Sequence, residues 1–264
     1  MQTVRTNQLD VKQVSLASGI GASVKQRQRL MSAETHYLLK DISFEAVQGD
    51  RIAIVGASGS GKTSLLRLLN RLSEPTGGVI LFNQKVLTQI PTLALRQQIV
   101  LVLQESKLLG MTVQQALEYP LVLRQLPKQT IRERVKKWGD RLHIPSEWLS
   151  RTELQLSVGQ RQIVAIARAL VTEPSVLLLD EPMSALDVGR SELLLRLLSD
   201  LTQANGTTVM MVSHQLDLAE QGCDRVLHLE QGRLLQDIPA AQMDWQALRQ
   251  ALVQAEAQQA EEWS

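Results

Sequence analysis

The stretch GASGSGKT, Gly56–Thr63, has the form G-x-x-x-x-G-K-[ST]. An apolar run, RIAIV at Arg51–Val55, precedes it, and a run with helical character, Lys62–Leu72, follows it. A strand, a glycine-rich loop and a helix in this order are the context of a phosphate-binding loop. Backbone N–H groups that the glycines turn inward, together with the N-terminal end of the helix, would hold an anionic group. The sequence therefore predicts that this loop binds the phosphates of a nucleotide.

Two side chains at the end of this motif have predicted roles. Lys62 supplies a positive charge for the outer phosphates, and the Thr63 hydroxyl is able to ligate Mg²⁺. The alternative is an ordinary loop between a strand and a helix, but from average composition such a match arises by chance in roughly one chain of this length in a hundred. The candidate phosphate site comprises Gly56, Ala57, Ser58, Gly59, Ser60, Gly61, Lys62, Thr63 and Ser64.

A second segment, VLLLDEP at Val176–Pro182, is an apolar run that ends in two carboxylates. A continuous apolar run is typical of a strand buried on both faces of a parallel sheet, and ligands of such sheets bind beyond the carboxyl ends of the strands. Asp180 is therefore predicted to hold Mg²⁺ or its water, and Glu181 to accept a proton from an attacking water. The alternative is an acidic turn after a core strand, which the phosphate loop upstream disfavours.

Four further segments resemble motifs of the ABC-type ATPases, and they occur once each and in the family's order. LSVGQ at Leu156–Gln160 is similar to the signature motif, and SALD at Ser184–Asp187 is similar to the D-loop. Gln104 follows an apolar run, like the glutamine of the family's Q-loop, and His214 follows another, like its switch histidine. The resemblance covers residues 8–236.

This resemblance implies an α/β fold with a P-loop core, a small antiparallel β subdomain and an α-helical subdomain that carries the signature. The ABC ATPase domain is expected at residues 8–236, with the helical subdomain at about 105–170. Breaks within the helical subdomain are expected at Pro120, Pro127 and Pro145. Residues 237–264, rich in Ala, Gln and Glu, are expected to form a C-terminal helical extension. No internal repeat is visible, so one cassette is expected.

The resemblance also implies how ATP is bound and hydrolysed. Mg²⁺ would be held by Thr63, Gln104 and Asp180. Glu181 would activate the attacking water, while His214 contacts the γ-phosphate. Catalysis would therefore involve Gln104, Glu181 and His214 together.

A second copy of the chain completes the site in this family. Two copies would face head to tail, and each ATP would lie between the phosphate loop of one and Ser157, Gly159 and Gln160 of the other. The chain departs from the family pattern at Val158, where a glycine is usual, and at Ile163, where a basic residue is usual.

The aromatic residue that stacks on adenine in the family is expected close to Ala33. The nearest aromatic residue is Tyr37, which is read equally as a residue of a strand. The surrounding stretch, residues 17–35, is polar and carries a basic cluster, Lys25, Arg27 and Arg29. A solvated loop is favoured there over a contact with lipid headgroups.

Bulk properties bound the partners and the location. The formal net charge of +1 gives no basic field for nucleic acid, so no nucleic-acid partner is expected, and the single cysteine excludes an internal disulfide. No apolar run approaches the roughly 20 residues that cross a bilayer, and the first residues lack a signal-peptide core. The chain is therefore expected to be cytoplasmic and peripheral on the cytoplasmic face of the membrane, with a permease formed by separate chains.

The segment Lys107–Leu126 is unusually apolar for its place after Gln104. In ABC transporters a helix of the membrane partner docks in this region, so that Leu108, Met111 and Tyr119 would form a docking groove. The alternative, which has equal weight, is that the segment forms the core of the helical subdomain itself. A second function also stays open, namely a soluble single-cassette ATPase that acts in cofactor assembly or another process without transport.

Overall fold

The computed structural model describes residues 7–18 and 36–262, with side chains described up to residue 257. The stretch 19–35 lies outside the described residues, and with it the predicted basic loop and the position near Ala33. The strands are β1 (Asn7–Ala17), β2 (Tyr37–Val47), β3 (Arg51–Val55), β4 (Gly77–Phe82), β5 (Lys85–Val86), β6 (Ile99–Val102), β7 (Val176–Asp180), β8 (Thr208–Val212), β9 (Arg225–Glu230) and β10 (Arg233–Pro239). The α-helices are α1 (Lys62–Leu69), α2 (Thr92–Gln98), α3 (Val113–Leu123), α4 (Lys128–Arg141), α5 (Val158–Leu170), α6 (Val188–Asn205), α7 (Leu216–Gly222) and α8 (Trp245–Glu262).

The short apolar strands form a largely parallel sheet. Its order is β10-β9-β3-β8-β7-β6, in which neighbours from β9 to β6 run parallel and β10 is antiparallel to β9. Every residue of β7 and β8 is buried, as expected when both faces of a parallel sheet are covered. The carboxyl ends of β3, β6, β7 and β8 consequently lie along one edge, where the predicted site residues follow them.

A second sheet is antiparallel, with the order β2-β1-β4-β5. Along β2, Ile42, Phe44 and Ala46 are buried while the residues between them are exposed, which is the alternation of a strand with one face on a core. These side chains share a hydrophobic cluster with Leu65 and Leu68 of α1. The antiparallel sheet therefore covers the helix that begins at the phosphate loop.

Helices α3, α4 and α5 follow β6 and precede β7 in the chain, and they pack on one another. Trp138 and Trp148 are buried in this region and belong to one cluster with Leu117 and Leu156. Both tryptophans are therefore packing residues of the helical part. The predicted architecture, an α/β fold with an antiparallel sheet and a helical part, is confirmed.

One predicted helix break is wrong. Pro120 lies inside α3 rather than at its end, although a proline within a helix removes a backbone hydrogen bond and costs about 3 kcal/mol. Burial of Val113, Leu117 and Leu121 on the inner face of α3 opposes that cost, since each fully buried aliphatic side chain contributes about 1.5–3 kcal/mol. Pro127, by contrast, immediately precedes α4.

Helix α8, Trp245–Glu262, lies within the range 237–264 in which the sequence predicts a helical extension, although the first residues of that range still belong to β10. Met243 and Leu248 pack with Leu216 of α7 and Val226 of β9, and Arg249 forms an ion pair with an aspartate of α7. Over residues 7–18 and 36–262, no helix is long and apolar enough to span a bilayer.

Candidate nucleotide site

The loop between β3 and α1 is shaped by glycines that no other residue could replace. Gly56 has φ +150°, and a Cβ there would lie 2.1 Å from the Leu229 carbonyl oxygen. Gly61, with φ +100°, would bring a Cβ within 2.7 Å of the Leu38 carbonyl oxygen. The loop is therefore pressed against β9 on one side and β2 on the other, which holds its backbone in place before any ligand binds.

Lys62, the first residue of α1, folds back over this loop. Its Nζ donates to the carbonyl oxygens of Gly56 at 2.8 Å and Ala57 at 2.7 Å. The residue is 5% exposed, and burial lowers the pKa of its ammonium group. A buried ammonium group held only by neutral oxygens gains from an anionic partner, since charge-assisted hydrogen bonds are about twice as strong as neutral ones.

Thr63 and Asp180 meet at the carboxyl edge of the parallel sheet. The Thr63 hydroxyl donates to Asp180 Oδ1 at 3.1 Å. Burial raises the pKa of the Asp180 carboxyl group, whereas the hydrogen bond from Thr63 acts in the opposite direction. A hydroxyl and a carboxylate in contact are oxygen ligands of the kind that Mg²⁺ takes together with substrate phosphates, so these residues fit the predicted ion.

Glu181 is the point at which three predicted residues converge. Its Oε2 accepts from Gln104 Nε2 at 2.9 Å, and its Oε1 lies 3.0 Å from His214 Nε2. The backbone of Glu181 is left-handed, with φ +48°, and its N–H donates to the Val212 carbonyl oxygen. Strained backbone of this kind often occurs at functional sites. The loops after β6, β7 and β8 thus place one side chain each around a single carboxylate.

The signature residues lie at the start of α5. Ser157 caps this helix, because its hydroxyl accepts from the Gln160 N–H and the Gln160 side chain accepts from the Ser157 N–H. Gly159 is buried, and a Cβ there would lie 2.4 Å from the Ala185 carbonyl oxygen. Val158 is instead 60% exposed. A side chain is therefore accommodated at 158 but not at 159, which explains why the departure from the family pattern at Val158 leaves the motif's backbone intact.

Tyr37 stands at the first position of β2 and is 38% exposed. The Lys40 ammonium group lies 5.5 Å from the centre of its ring. The next residue, Leu38, is the one whose carbonyl oxygen faces Gly61. The structure thus places the nearest aromatic residue one position from a residue in contact with the phosphate loop.

A groove of about 650 Å³ opens between the end of β6 and helices α3 and α5. Aliphatic and aromatic side chains line it, namely Leu93, Leu103, Leu109, Met111, Tyr119 and Leu123. Leu108 is fully buried and belongs to the core of the helical part. Met111 and Tyr119 therefore line a groove, as the first interpretation of this segment predicts. Leu108 lies in the core of the helical part, as the second interpretation predicts.

The sequence interpretation missed the contacts that join the segment after Gln104 to helix α5. Ser106 donates to Gln162 Oε1 at 2.6 Å, and the Leu108 N–H donates to Glu153 Oε2 at 2.8 Å. The signal available was Gln162 itself, a polar residue four positions before Ile166 and seven before Ala169, and so on the apolar face of α5. A buried polar side chain needs a hydrogen-bonding partner, so its presence indicated a contact without showing which residue makes it.

A glycine-rich loop at a helix N-terminus, facing carboxylates at the end of a buried parallel strand, defines a P-loop nucleotide-binding domain. Comparison with known families makes the assignment more specific. The family model described as "ABC transporter" matches residues 39–184, more than half of the chain. The chain belongs to the ABC transporter family, as the motifs predict.

Individual proteins agree with this assignment. The chain is 36% identical over 221 residues to the methionine import ATP-binding protein MetN of Sodalis glossinidius (strain morsitans), covering 82% of this chain and 64% of the relative. It is 37% identical to MetN of Xanthomonas axonopodis pv. citri (strain 306), covering 74% of this chain and 59% of the relative. The chain thus spans about three-fifths of the length of these curated relatives.

Solved structures are similar over nearly the whole fold. A dimeric post-hydrolysis structure of the ATP-binding cassette MJ0796, bound to ADP and Pi, superposes with a TM-score of 0.76 at 26% identity, covering 88% of this chain and 98% of the other. CbiO1 from Clostridium perfringens, part of the ABC transporter complex cbiONQ, gives a TM-score of 0.75 at 28% identity, covering 94% and 93% of the two chains.

Proposed function

We propose that this chain is the ATP-binding and ATP-hydrolysing subunit of an ABC transporter whose membrane-spanning subunits are separate chains. The observation that carries the proposal is the convergence of Gln104 and His214 on the carboxylate of Glu181, beside the contact of Thr63 with Asp180. These are the residues that the family motifs single out, and the fold brings them to one edge of the sheet.

ATP would bind with its phosphates in the loop Gly56–Gly61. Lys62 would exchange the carbonyl oxygens of Gly56 and Ala57 for phosphate oxygens, which gives its buried charge an anionic partner. Thr63, Asp180 and the side-chain oxygen of Gln104 would hold Mg²⁺, which neutralises charge on the β- and γ-phosphates when bound. Ser58 and Ser60 of the loop, and Ser64 in the first turn of α1, also belong to the proposed phosphate site.

Hydrolysis would proceed by attack of water on the γ-phosphorus. A bond forms between the water oxygen and phosphorus, the bond from phosphorus to the bridging oxygen breaks, and ADP leaves. Glu181 would accept the proton of the water, and His214 would contact the γ-phosphate as charge develops. Gln104 donates to one oxygen of Glu181 and His214 lies beside the other, and each of these oxygens keeps a further lone pair that would accept from water.

A second copy would complete the site in a head-to-tail dimer. Ser157, Gly159 and Gln160 begin helix α5, whose N-terminal end is a favourable position for an anion. These residues would face the γ-phosphate bound by the other copy. Dimeric cassette structures with similar folds support this arrangement.

The apolar groove beside α3 would receive a helix of the membrane partner, and the chain would then lie on the cytoplasmic face of the membrane. Met111 and Tyr119 line that groove, and an exposed apolar surface of this kind commonly marks an interaction site. In this proposal residues 8–236 form the ATPase domain, with the helical subdomain at about 105–170, and residues 237–264 form a C-terminal extension.

Steady-state hydrolysis by the purified chain tests the proposal. Glutamine keeps the size of glutamate but takes no proton from water at neutral pH. We expect Mg²⁺-dependent release of phosphate from ATP by the parent and at least about a hundredfold loss in Glu181→Gln, the lower end of what a general base contributes. The matched control is Glu192→Gln, an exposed glutamate paired with Arg196, which should keep the parent rate.

Two outcomes would contradict the proposal that the chain is the ATP-hydrolysing subunit of a transporter. A parent that does not hydrolyse ATP, alone or with its membrane partner, would remove the enzymatic assignment. A parent that hydrolyses ATP but never co-purifies with an integral membrane protein would favour the soluble ATPase instead.

Methionine is the first substrate to test, because the curated relatives are named for methionine import. Selectivity would lie in the membrane or solute-binding partner rather than in this chain. The measurement is uptake of labelled methionine by cells with and without the gene, and equal uptake in both would remove methionine from the proposal.

A further inference from the structure

Helix α8 runs toward the edge of the parallel sheet that carries the nucleotide site. The chain enters this helix from the opposite edge, where the Ala240 N–H donates to the Asp224 carbonyl oxygen, just before β9 begins. Further along the helix, Arg249 forms an ion pair with Asp217. Asp217 lies in the first turn of α7, which follows the carboxyl end of β8. The second half of α8 therefore lies at the carboxyl edge of the sheet.

One face of α8 packs beside the strand that leads into the phosphate loop. Leu248 is buried, and Leu252 packs against the same cluster, which includes Val55 at the end of β3. Val55 directly precedes Gly56, the first residue of the loop. Side chains four positions apart lie on one face of a helix. Glu256 therefore continues the face of Leu248 and Leu252 by one turn, about 6 Å further in the direction of the loop.

The charge of Glu256 acts on the ammonium group of Lys62. Burial lowers the pKa of Lys62. The carboxylates of Glu181, Asp180 and Glu256 act on that pKa in the opposite direction. Asp180 and Glu181 belong to the proposed site, whereas Glu256 is an exposed residue of α8. Its effect on Lys62 agrees with the position beside the phosphate loop that the packing of α8 gives it.

We propose that Glu256 lowers the nucleotide affinity of this chain by placing a negative charge beside the loop that binds the phosphates. The inference rests on the proposed function, since it concerns how strongly the same site holds its nucleotide. In the nucleotide-free protein the Glu256 carboxylate partly balances the charge of Lys62. Phosphates in the loop are repelled by the same carboxylate, and the repulsion grows with the charge of the nucleotide. Binding of ATP is therefore weakened more than binding of ADP, and binding of uncharged adenosine is not weakened.

Nucleotide binding by the purified full chain tests the proposal. The variants are Glu256→Gln, which removes the charge and keeps the size, and Glu256→Lys, which reverses the charge. The matched control is Glu220→Gln, which removes an exposed carboxylate from α7, the helix in contact with α8. The measurement is calorimetric titration with ATP, ADP and adenosine in the presence of Mg²⁺, at low and at high salt. Circular dichroism reports whether each variant is folded.

We expect Glu256→Gln to bind ATP about threefold more tightly than the parent at about 10 mM salt, the size typical of one exposed charge interaction. Glu256→Lys should bind ATP more tightly still, ADP should gain less than ATP, and Glu220→Gln should behave like the parent. At about 1 M salt the gain should disappear, because the screening length falls to about 3 Å.

Parent-like ATP affinity in folded Glu256→Gln at low salt would overturn the inference. An equal gain for adenosine, or an equal gain in Glu220→Gln, would overturn it as well, because neither depends on a charge beside the phosphates. A parent that binds no ATP would instead overturn the proposed function on which the inference rests.

A second readout needs no nucleotide. The pKa of Lys62, followed by NMR of isotopically labelled lysine side chains, should fall in Glu256→Gln and stay unchanged in Glu220→Gln, since a carboxylate favours the charged form of a nearby ammonium group. The resonance that is missing in Lys62→Ala identifies Lys62. If Glu256→Gln fails to fold, Glu256→Lys is judged by the same measurements. An unchanged pKa of Lys62 in a folded variant would overturn the inference whatever the result with ATP.

Discussion

The ammonium group of Lys62 is bound by neutral oxygens of its own loop. We therefore expect Lys62→Ala to keep the fold while ATP affinity falls at least about tenfold, the effect of losing one charge-assisted contact. Circular dichroism reports the fold, and titration with a fluorescent nucleotide reports the affinity. Lys136→Ala, at an exposed position of α4, is the control. Parent-like nucleotide binding in Lys62→Ala would contradict the assignment of the phosphate loop.

Asp180 gives a prediction about stability. Burial raises the pKa of its carboxyl group above the ordinary value of 3.8, so the folded protein favours the protonated form and loses that contribution as pH rises through the raised pKa. Asn resembles the protonated acid. We expect Asp180→Asn to unfold at a higher temperature than the parent near pH 7 without nucleotide, with the difference shrinking as the pH falls toward the unfolded-state value.

The same substitution should weaken Mg²⁺-dependent nucleotide binding, because a ligand of the ion is lost. Asp200→Asn is the control, since Asp200 is an exposed partner of Arg141 and such surface pairs contribute about 0–1 kcal/mol. Thermal unfolding of the parent and of Asp180→Asn, measured from acid to neutral pH without nucleotide, tests the prediction about stability. A melting temperature below that of the parent near pH 7 would show that the charge of Asp180 stabilises the fold rather than opposing it.

The segment that runs from the end of β6 through α3 contributes some side chains to the core and others to the groove. Residues of the two kinds lie close together in the chain. Leu108 is fully buried, whereas Tyr119 is exposed in the groove. We expect Met111→Asp and Tyr119→Asp to fold and bind ATP but to lose association with the membrane subunits, because a charge resists desolvation against an apolar helix. Leu108→Asp should fail to fold, since it buries an unpaired charge.

Flotation of membranes with bound subunit and circular dichroism of the purified variants provide the measurements. Unfolding of Met111→Asp and Tyr119→Asp along with Leu108→Asp would assign the whole segment to the core. Folded variants that still bind membranes would place the partner elsewhere on the surface.

Each proposed ATP site needs residues from two copies of the chain, so the binding of ATP and the formation of the dimer depend on each other. If Glu181→Gln blocks hydrolysis while Lys62, Thr63 and Asp180 remain, bound ATP should continue to join the two copies and stabilise the dimer by mass action. We expect this variant to be monomeric without nucleotide or with ADP, and a stable dimer with ATP. The parent should dimerise only transiently.

Size-exclusion chromatography with light scattering measures the mass in each condition. Adding Ser157→Arg to Glu181→Gln supplies a control, since it places a bulky charge at the start of α5 and should abolish the ATP-dependent dimer. A Glu181→Gln protein that stays monomeric at saturating ATP, with its membrane subunits present, would contradict the ATP-bridged dimer.

Much of the candidate site was predictable because the chemistry is local in the chain. The spacing of Gly56, Lys62 and Thr63 specifies a loop and the first turn of a helix, and Asp180 and Glu181 directly follow an apolar run. Parallel strands bring such ends to one edge of a sheet. The assignment of Gln104 and His214 to the site of Glu181 followed from the resemblance to the ABC-type ATPases, whereas their contact with the same carboxylate is visible only in three dimensions.

Features that depend on packing between distant segments could not be read from the chain. An apolar sequence does not reveal that Leu108 enters the core while Met111 lines a groove, because that depends on where α5 lies. The sequence also does not reveal that Ser106 forms a hydrogen bond with Gln162. Nor does it reveal that burial of apolar side chains on α3 offsets the cost of placing Pro120 within that helix. Local spacing sets backbone conformation and the chemistry of nearby side chains. Burial and long-range hydrogen bonds depend on contacts between residues far apart in the chain, and only the assembled fold specifies those.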